Sequence, residues 1–235
     1  MKNQIDFQIV GVFTNKTEKS WWPSLKDLEN KFNIDVLLFD HISSYTFIKK
    51  YQPDYLLLLS WKHIINQNTL NIVKKATLNL HYSLLPKNRG VYPINWALYS
   101  GEKETGVTYH IVDNNIDSGQ IVAQSKIEIK IYDDSKSLLE KLDSLALNLF
   151  KKIWINRSEW KHSTNQIEAN SSYNSREKFE KSNCIDLNME GTFYEFINIL
   201  RSKSFGEYSH AYFYDEETNK KIKIKISLTI EDDTI

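Results

Sequence analysis

The segment ATLNLHYSLLPKNRG, residues 76–90, decides how the chain is interpreted. It opens with a short apolar run typical of a buried strand and continues into a turn with a proline and an Arg-Gly pair. Asn79 and His81 stand two positions apart, so on a strand their side chains lie on one face. Ser83 follows where that strand would end. The segment therefore predicts a strand that delivers an amide, an imidazole and a hydroxyl to one place.

A second polar segment, VDNNIDSG at residues 112–119, supplies carboxylates. An amide, an imidazole and an acid together can polarise a carbonyl group, move a proton and orient the proton carrier. A lone histidine or a lone Asp-Ser-Gly turn would be structural, but the combination favours a catalytic site. Asp113 and Asp117 are both candidates for the acid, and their spacing does not decide between them.

The order of apolar segments predicts the fold around this site. Strand-like runs alternate with helical spacing, with strands predicted at residues 7–14, 35–40, 55–60 and 76–80 and helices at 23–32, 43–50 and 68–75. This alternation favours an α/β, Rossmann-like, mostly parallel sheet. Ligands of such sheets bind beyond the carboxyl ends of the strands, which is where the polar groups of the first segment emerge.

The second half of the chain is predicted to hold further elements and a boundary. Helices are expected at 93–99, 135–155 and 191–203, and strands at 105–112, 120–131, 210–215 and 221–230. The polar stretch 156–174 resembles a linker. We therefore expect a catalytic domain over residues 1–160 and a small C-terminal region of helix and β-hairpin over 161–235. The last strand alternates isoleucine with lysine, so it is a candidate contact for a homodimer.

Composition excludes several classes of protein. Hydrophobic residues make up 41% of the 235-residue chain, which allows a substantial core. Thirty Lys and Arg balance thirty Asp and Glu, which argues against a large nucleic-acid footprint. A single cysteine, Cys184, excludes an internal disulfide and a multi-cysteine zinc site. Without a membrane-length apolar run or a signal-peptide core, a cytoplasmic protein without membrane contact is expected.

Both polar segments belong to a longer pattern, with PINWAL at residues 93–98 and GEKETGVTYHIVDNNIDSGQIVAQ at 101–124. The pattern resembles the folate-dependent formyltransferases, closely between residues 53 and 124. The resemblance implies that Asn79, His81 and Asp117 form the catalytic trio, in preference to Asp113. It also implies 10-formyltetrahydrofolate as the formyl donor. The pterin of the donor is expected against residues 59–65 and the Asp117 loop, and the predicted contacts are Trp61, Lys62, His63, Ile64 and Asp113.

The expected chemistry follows from these groups. An amine attacks the formyl carbon, and hydrogen-bond donors from Asn79 and His81 are expected to stabilise the formyl oxygen, at ~3 kcal/mol per donor. Asp117 is expected to orient or charge His81 and to help relay the proton. No metal is needed. The other histidines show no ligand-like pairing and are predicted to be surface or core residues: His41, His63, His110, His162 and His210.

The acceptor amine is predicted from the flanking sequence. Residues 11–16 hold one glycine and no phosphate-binding nest, unlike the purine-pathway branch. The neutral charge and short C-terminal part argue against the transfer-RNA branch. Residues 196–213 resemble the sugar N-formyltransferases, which implies a nucleotide-linked aminodeoxysugar, dTDP-4-amino-4,6-dideoxyglucose, for O-antigen or surface polysaccharide synthesis. The alternatives are another acceptor, such as methionyl-tRNA, and a catalytically silent folate- or nucleotide-binding module.

Six residues are predicted to bind the acceptor: Ser83, Arg89, Tyr173, Arg201, Lys203 and Tyr208. Arg201 and Lys203 could grip a diphosphate, and Tyr173, Phe179 or Tyr208 could stack on a base. The competing interpretation makes the cations solvated helix-end residues and places the aromatic rings in a small core. Trp21 and Trp22 could line a sugar pocket or staple the first helix.

Overall fold

The computed structural model describes residues 7–14 and 25–231. The predicted helix start at residue 23, together with Trp21 and Trp22, lies outside the described residues. The strands are β1 Val12–Thr14, β2 Val36–Leu38, β3 Tyr55–Leu59, β4 Ala76–His81, β5 Arg89–Gly90, β6 Glu104–Ile111, β7 Ile121–Glu128, β8 Tyr173–Asn174, β9 Ser204–Phe205, β10 Tyr208–Ser209, β11 Tyr212–Tyr214 and β12 Lys221–Lys223. The α-helices are α1 Leu25–Phe32, α2 His41–Tyr51, α3 Gln67–Leu70, α4 Pro93–Tyr99, α5 Ser135–Ile155, α6 Arg176–Lys181 and α7 Phe193–Lys203. Short 3-10 helices cover Arg157–His162 and Glu168–Asn170.

The first compact unit, Met1–Thr77, has the alternation of strands and helices that the sequence predicts. β1 and β2 pair in parallel. Helix α2 begins where the Asp40 carboxylate accepts hydrogen bonds from the backbone N–H groups of Ile42 and Ser43. It ends at Gln52 in a left-handed conformation, which returns the chain toward β3. Parallel strands joined through helices are the α/β arrangement expected from the sequence.

The second compact unit, Leu78–Ile235, is built on an antiparallel sheet. β4 crosses from the first unit into the second and pairs with β6, and β6 pairs with β7. The turn between β6 and β7 spans residues 112–120, which is shorter than the dozen or more residues of a parallel crossover. The parallel portion of the fold is therefore followed by an antiparallel portion, and both polar segments lie in the latter.

Helix α5 supplies the apolar layer against the second unit's sheet. It begins at a capping box, in which Asp134 accepts from the backbone of Ser137 and the Ser137 hydroxyl accepts from Asp134. Its buried side chains recur at three- and four-residue intervals, as the sequence predicts: Leu138, Leu142, Ala146 and Ile153. Within residues 7–14 and 25–231, no helix is long and apolar enough to cross a membrane.

The polar stretch 156–174 is bound to the second unit along its length. Thr164 exchanges backbone hydrogen bonds with Ile121, and β8 pairs in parallel with β5. Contacts between residues group the chain into two compact units, Met1–Thr77 and Leu78–Ile235. The expected catalytic domain over residues 1–160 and C-terminal region over 161–235 stay a prediction. The composition of this stretch resembles a linker because its partners are backbone and polar groups, which leave no apolar pattern in the sequence.

The C-terminal hairpin is shorter than the sequence predicts. β11 pairs with β12 in antiparallel fashion, but β12 ends at Lys223, whereas the alternating pattern continues to residue 230. Beyond β12, Ile224, Ile226 and Leu228 are half-buried and Ile230 is exposed. An alternating pattern needs a neighbouring strand to become a ladder, and within the described chain β12 has one only over three residues.

Candidate active site

β4 and β6 bring the first polar groups together. Asn79 lies directly opposite His110 in the antiparallel register, and His81 lies opposite Thr108. Opposite residues of an antiparallel pair share a face, so Asn79, His81 and His110 project to the same side. Nδ2 of Asn79 lies 3.0 Å from Nε2 of His110. His110, predicted to be an ordinary surface or core histidine, is instead a buried member of this cluster.

The turn after β4 folds back onto the histidine that precedes it. The buried Ser83 hydroxyl donates to the backbone oxygen of Lys87, which closes the turn. The backbone oxygen of Asn88 then lies 2.8 Å from Nε2 of His81. Ser83 therefore shapes the turn and is 1% exposed, so the structure does not offer it to an acceptor as predicted.

Asp117 completes the cluster from the loop between β6 and β7. Its Oδ1 lies 3.3 Å from Nδ2 of Asn79, and its Oδ2 lies 3.5 Å from Nδ1 of His81 and accepts from the Gly90 backbone N–H at 2.9 Å. A side chain at Gly90 would meet the Asn174 backbone oxygen at 2.3 Å, so glycine permits this close approach. The structure thus brings together the three residues of the predicted trio.

Asp113, the other candidate acid, has a different position. Its carboxylate accepts from the Asn115 backbone N–H at 3.1 Å and from the Ser118 hydroxyl at 2.9 Å. The residue is exposed and stabilises the loop that carries Asp117. The geometry agrees with the choice of Asp117 that the family resemblance implies.

Burial and charge set the protonation of the cluster. Burial lowers the pKa of His81, against the opposing effect of the Asp117 carboxylate and the hydrogen bond to Asn88. Burial alone would raise the pKa of Asp117, but its contacts with His110, His81 and the Gly90 N–H together lower it. A neutral imidazole therefore lies beside an ionised carboxylate. Since a carbonyl oxygen can only accept, Nε2 of His81 carries its proton and the Nδ1 lone pair faces Asp117.

A second group of side chains holds the backbone of the loop that carries Asp117. Asp117 has a left-handed φ of +51°, which is uncommon for a residue with a side chain. Nε2 of Gln166 donates to the backbone oxygens of Asp117 and Gly119, each at 2.8 Å. Nε and Nη2 of Arg89 donate to Oε1 of Gln166, and the same guanidinium makes a bidentate pair with Glu168. Arg89, predicted to bind the acceptor, is thus committed to the Asp117 loop.

Sequence reasoning did not identify His110, Asn88 or Gln166. His110 becomes visible only through the register of β4 against β6. Asn88 contributes a backbone oxygen, which carries no side-chain signal. Gln166 lies in the stretch assigned as a linker. The one sequence signal for His110 is the Tyr-His pair in β6, which stands among mostly small and β-branched residues.

Arg201 and Lys203, predicted to grip a diphosphate, are interior residues, 2% and 1% exposed. The Arg201 guanidinium donates to Asn198 Oδ1 and to the backbone oxygens of residues 130, 131 and 133. Nζ of Lys203 lies 3.9 Å from the ring centre of Phe179 and donates to the Ser182 hydroxyl. Burial lowers the pKa of Lys203 to about 8. Neither cation is free for a ligand, because each is committed to the packing around the end of α7.

A cavity of about 780 Å³ lies in the second unit beside the turn of the first polar segment. Its wall combines cations, aromatic rings and amides, and is formed by Lys87, Asn88, Trp96, Tyr99, Ser100, Glu102, Asn170, Ser172, Tyr173, Asn174, Lys178, Lys181 and Ser182. Tyr173 is half exposed and belongs to this wall, as predicted for an acceptor-binding residue, whereas the exposed Tyr208 on β10 does not. Asn88 links the cavity to the catalytic cluster, because its backbone oxygen holds His81.

The residues predicted to contact the donor follow β3 in the first unit. Ser60 has a φ of +51°, which turns the chain out of the strand. The Trp61 and His63 rings pack on Phe39, at centroid distances of 4.6 and 4.7 Å. Lys62 is exposed, and Ile64 is 78% exposed. Nε1 of Trp61 is buried and has no hydrogen-bond acceptor among the residues that the structure describes.

Comparison with known proteins identifies the family. The formyl transferase model matches residues 39–153, and the N-formyltransferase dimerization C-terminal domain matches residues 178–230. The chain belongs to the formyltransferase family. This confirms the family predicted from the two polar segments, and with it the α/β formyltransferase fold.

Two relatives show how far the similarity in sequence extends. The bifunctional polymyxin resistance protein ArnA of Wigglesworthia glossinidia brevipalpis is 32% identical over 224 residues, which are 91% of this chain and 34% of that protein. The methionyl-tRNA formyltransferase of Thermodesulfovibrio yellowstonii is 36% identical over 130 residues, 54% of this chain and 42% of that protein. The chain thus spans between about a third and two fifths of the length of these two relatives.

A solved structure extends the comparison to the fold. The N-formyltransferase of Helicobacter canadensis, in complex with folinic acid and dTDP-3-aminofucose, is 28% identical with a TM-score of 0.64. The similarity covers 80% of this chain and 68% of that chain.

Proposed function

We propose that this chain transfers a formyl group from 10-formyltetrahydrofolate to the amine of a nucleotide-linked aminodeoxysugar. One observation carries the proposal: the Asp117 carboxylate contacts the Asn79 amide at 3.3 Å and the His81 imidazole at 3.5 Å. These are the three groups that the family resemblance names as catalytic, and they meet in a buried cluster on one sheet face.

The His81–Asp117 pair is suited to proton transfer. When an amine nitrogen bonds to a formyl carbon, it must lose a proton, and a base within hydrogen-bond reach accelerates that loss. Burial lowers the pKa of His81, so the ring is neutral and its Nδ1 lone pair is available. Asp117 stabilises the charge that the ring gains on accepting the proton. The donor, when bound, supplies the formyl carbon and the nitrogen that leaves.

The segment after β3 is suited to the pterin of the donor. It offers a buried, unpartnered N–H at Trp61 and exposed apolar surface at Leu59 and Ile64. A flat heteroaromatic ring with hydrogen-bonding edges needs both kinds of contact. We therefore retain Trp61 and Ile64 as proposed donor contacts. Lys62, which is exposed, and His63, whose ring is stacked on Phe39, belong to the same proposal.

The cavity in the second unit is proposed to hold the acceptor. Lys87, Lys178 and Lys181 give it a positive wall that suits a diphosphate. The exposed ring of Tyr173 provides a face on which a base or sugar can pack. The Helicobacter canadensis relative was crystallised with dTDP-3-aminofucose, an amine-bearing nucleotide sugar. We accordingly propose dTDP-4-amino-4,6-dideoxyglucose as the first acceptor to test, and surface polysaccharide synthesis in the cytoplasm as its context.

An aminoacyl-tRNA acceptor is the second candidate. The similarity to a methionyl-tRNA formyltransferase over 130 residues favours it. The balance of thirty basic and thirty acidic residues argues against it, because nucleic-acid binding needs a basic surface.

A panel assay separates these candidates. The full chain is incubated with 10-formyltetrahydrofolate and, in parallel, with dTDP- and UDP-linked 4-amino and 3-amino sugars and with methionyl-tRNA. Mass spectrometry identifies the products, and Asp117→Asn serves as the inactive control. A formylated sugar nucleotide is the expected product. Formylation of methionyl-tRNA alone would establish the second candidate, and folate binding without any product would indicate a silent binding module.

We also propose that the C-terminal region forms a homodimer. Residues 178–230 match a family domain named for dimerization, and Ile222 and Ile230 are 40% and 63% exposed on the alternating segment. A second copy would cover these side chains. Sedimentation of the wild type and of Ile230→Lys tests this: a dimer that the substitution converts to monomer is expected, and a monomeric wild type would refute it.

A further inference from the structure

The hydrogen bonds around His110 fix the direction of a carboxamide. His110 is 2% exposed and lies on β6 opposite Asn79. Its Nδ1 is 2.9 Å from the backbone oxygen of Ile111, and its Nε2 is 3.0 Å from Nδ2 of Asn79. The Ile111 oxygen can only accept, so the proton of the ring is on Nδ1. Nε2 is then a lone pair, which accepts a hydrogen bond from the Asn79 amide at 3.0 Å. It also lies 3.5 Å from Oδ1 of Asp117, which is a longer contact than the one with Asn79 and one in which the NMR test below must find no proton.

Asp117 constrains the same amide from a second side. Its Oδ1 lies 3.3 Å from Nδ2 of Asn79, and it is also an acceptor. Turning the carboxamide over would put its oxygen against a carboxylate oxygen and an imidazole lone pair at these distances. Protonating Nε2 would remove only one of the two repulsions. The amide nitrogen therefore points inward, because both of its neighbours accept hydrogen bonds.

This orientation commits both amide protons of Asn79 to the protein. The expectation from the sequence, that Asn79 donates a hydrogen bond to the formyl oxygen, does not fit this arrangement. Oδ1 of Asn79 accepts no hydrogen bond from the described residues and is the atom turned away from His110 and Asp117. A carbonyl oxygen in that position accepts N–H groups, and an attacking amine carries them.

We propose that His110 is a positioning residue that turns the Asn79 oxygen toward the acceptor amine. The Asn79 carbonyl then accepts one N–H of the amine, which aims the nitrogen lone pair at the formyl carbon while His81 and Asp117 take the departing proton. The part concerning the amine rests on the proposed function. The part concerning His110 and Asn79 rests only on the hydrogen bonds within the second unit.

The ring of His110 is tested first, by NMR on the full-length wild type labelled with ¹⁵N. Long-range proton–nitrogen correlations report which ring nitrogen carries the proton, and the signals are assigned by their loss in His110→Gln. A proton on Nδ1 and a bare Nε2 are expected. A proton on Nε2, or on both nitrogens, would overturn the proposal. This readout needs no activity, so it stands even if no acceptor is formylated.

Kinetics then tests the consequence for catalysis. His110→Leu removes the acceptor of the Asn79 amide, whereas His110→Gln supplies a carbonyl oxygen in its place. We expect His110→Leu to lower kcat about tenfold, as the loss of one positioning hydrogen bond does, with the KM for the donor unchanged. His110→Gln should recover most of that loss. Equal rates in the two variants would overturn the proposal, because a space-filling role does not distinguish them. His162→Leu, on an exposed histidine, is the control.

Discussion

Nε2 of His81 lies 2.8 Å from the backbone oxygen of Asn88, seven residues later in the same turn. The contact fixes the ring, so that Nδ1 faces Asp117 at 3.5 Å. One end of the imidazole is thus held by the backbone and the other is aimed at the carboxylate. The proline-containing turn matters because its backbone returns to the histidine that precedes it.

Substitution of the two candidate acids is expected to have very different effects on kcat. Asp117→Asn removes the charge beside His81 and is expected to lower kcat about a hundredfold, the scale of lost acid–base catalysis. Asp113→Asn alters an exposed loop contact and is expected to change kcat less than about threefold. Steady-state formylation rates of the two variants decide the matter. Similar losses in both would contradict the assignment of Asp117.

The anchoring of the Asp117 loop is testable away from the reacting groups. Gln166→Leu removes the donor that holds the Asp117 and Gly119 backbone oxygens. With the left-handed Asp117 released, we expect kcat to fall about tenfold, because misplacing a catalytic group by less than 1 Å already costs rate. Gln120→Leu, which removes an exposed contact with Asn165, is the matched control. A Gln166→Leu variant with the kcat of the wild type would show that the Gln166 side chain is dispensable.

If the cavity binds the acceptor, a substitution in its wall should change the KM for the acceptor and not the KM for the donor. Lys178→Gln removes a cation from the cavity wall and is expected to raise the KM for the acceptor about tenfold, the cost of one charge-assisted contact. The KM for the donor should be unchanged. Lys152→Gln, at an exposed position of α5, serves as the control. A rise in the KM for the donor, with the KM for the acceptor unchanged, would show that the cavity is not the acceptor site.

The lowered pKa of Lys203 predicts that the free energy of unfolding increases with pH in the alkaline range. Its pKa falls from 10.5 to about 8 on folding, so the unfolded chain binds more protons between these values. Stability therefore rises with pH through this window and is lost as pH falls through about 8. Between pH 7.5 and 9.5 we expect Lys203 to add about 2 kcal/mol to the free energy of unfolding.

Urea unfolding at those two pH values measures the effect of Lys203. Lys203→Met should abolish the rise, and Lys181→Met, at an exposed position, should leave it intact. A wild type whose stability is flat or falls over this interval would contradict a lowered pKa of the buried Lys203.

The helices and strands with strong local patterns could be predicted from the sequence. The bounds of α4 and α5 match the predicted 93–99 and 135–155, because their apolar spacing and caps are local signals. The predicted catalytic trio needed only the two polar segments and the family resemblance. Its members meet because β4 and the Asp117 loop lie on the same sheet.

The supporting residues could not be predicted, because their partners are distant in sequence. His110 depends on strand register, and Gln166 reaches a loop 49 residues earlier. Arg201 and Lys203 have the sequence position of helix-end cations, but α7 packs its end against backbone carbonyls and aromatic rings. The charge of a residue does not show from the sequence whether carbonyl groups or aromatic rings surround it in the fold.

The central claim is that the His81–Asp117 pair carries out formyl transfer to an amine. The most direct measurement is the rate of formylated product formation by the wild type and by His81→Ala, with 10-formyltetrahydrofolate and the best acceptor from the panel. We predict turnover by the wild type and a loss of about a hundredfold or more in the variant. Equal rates in the two proteins would contradict the account.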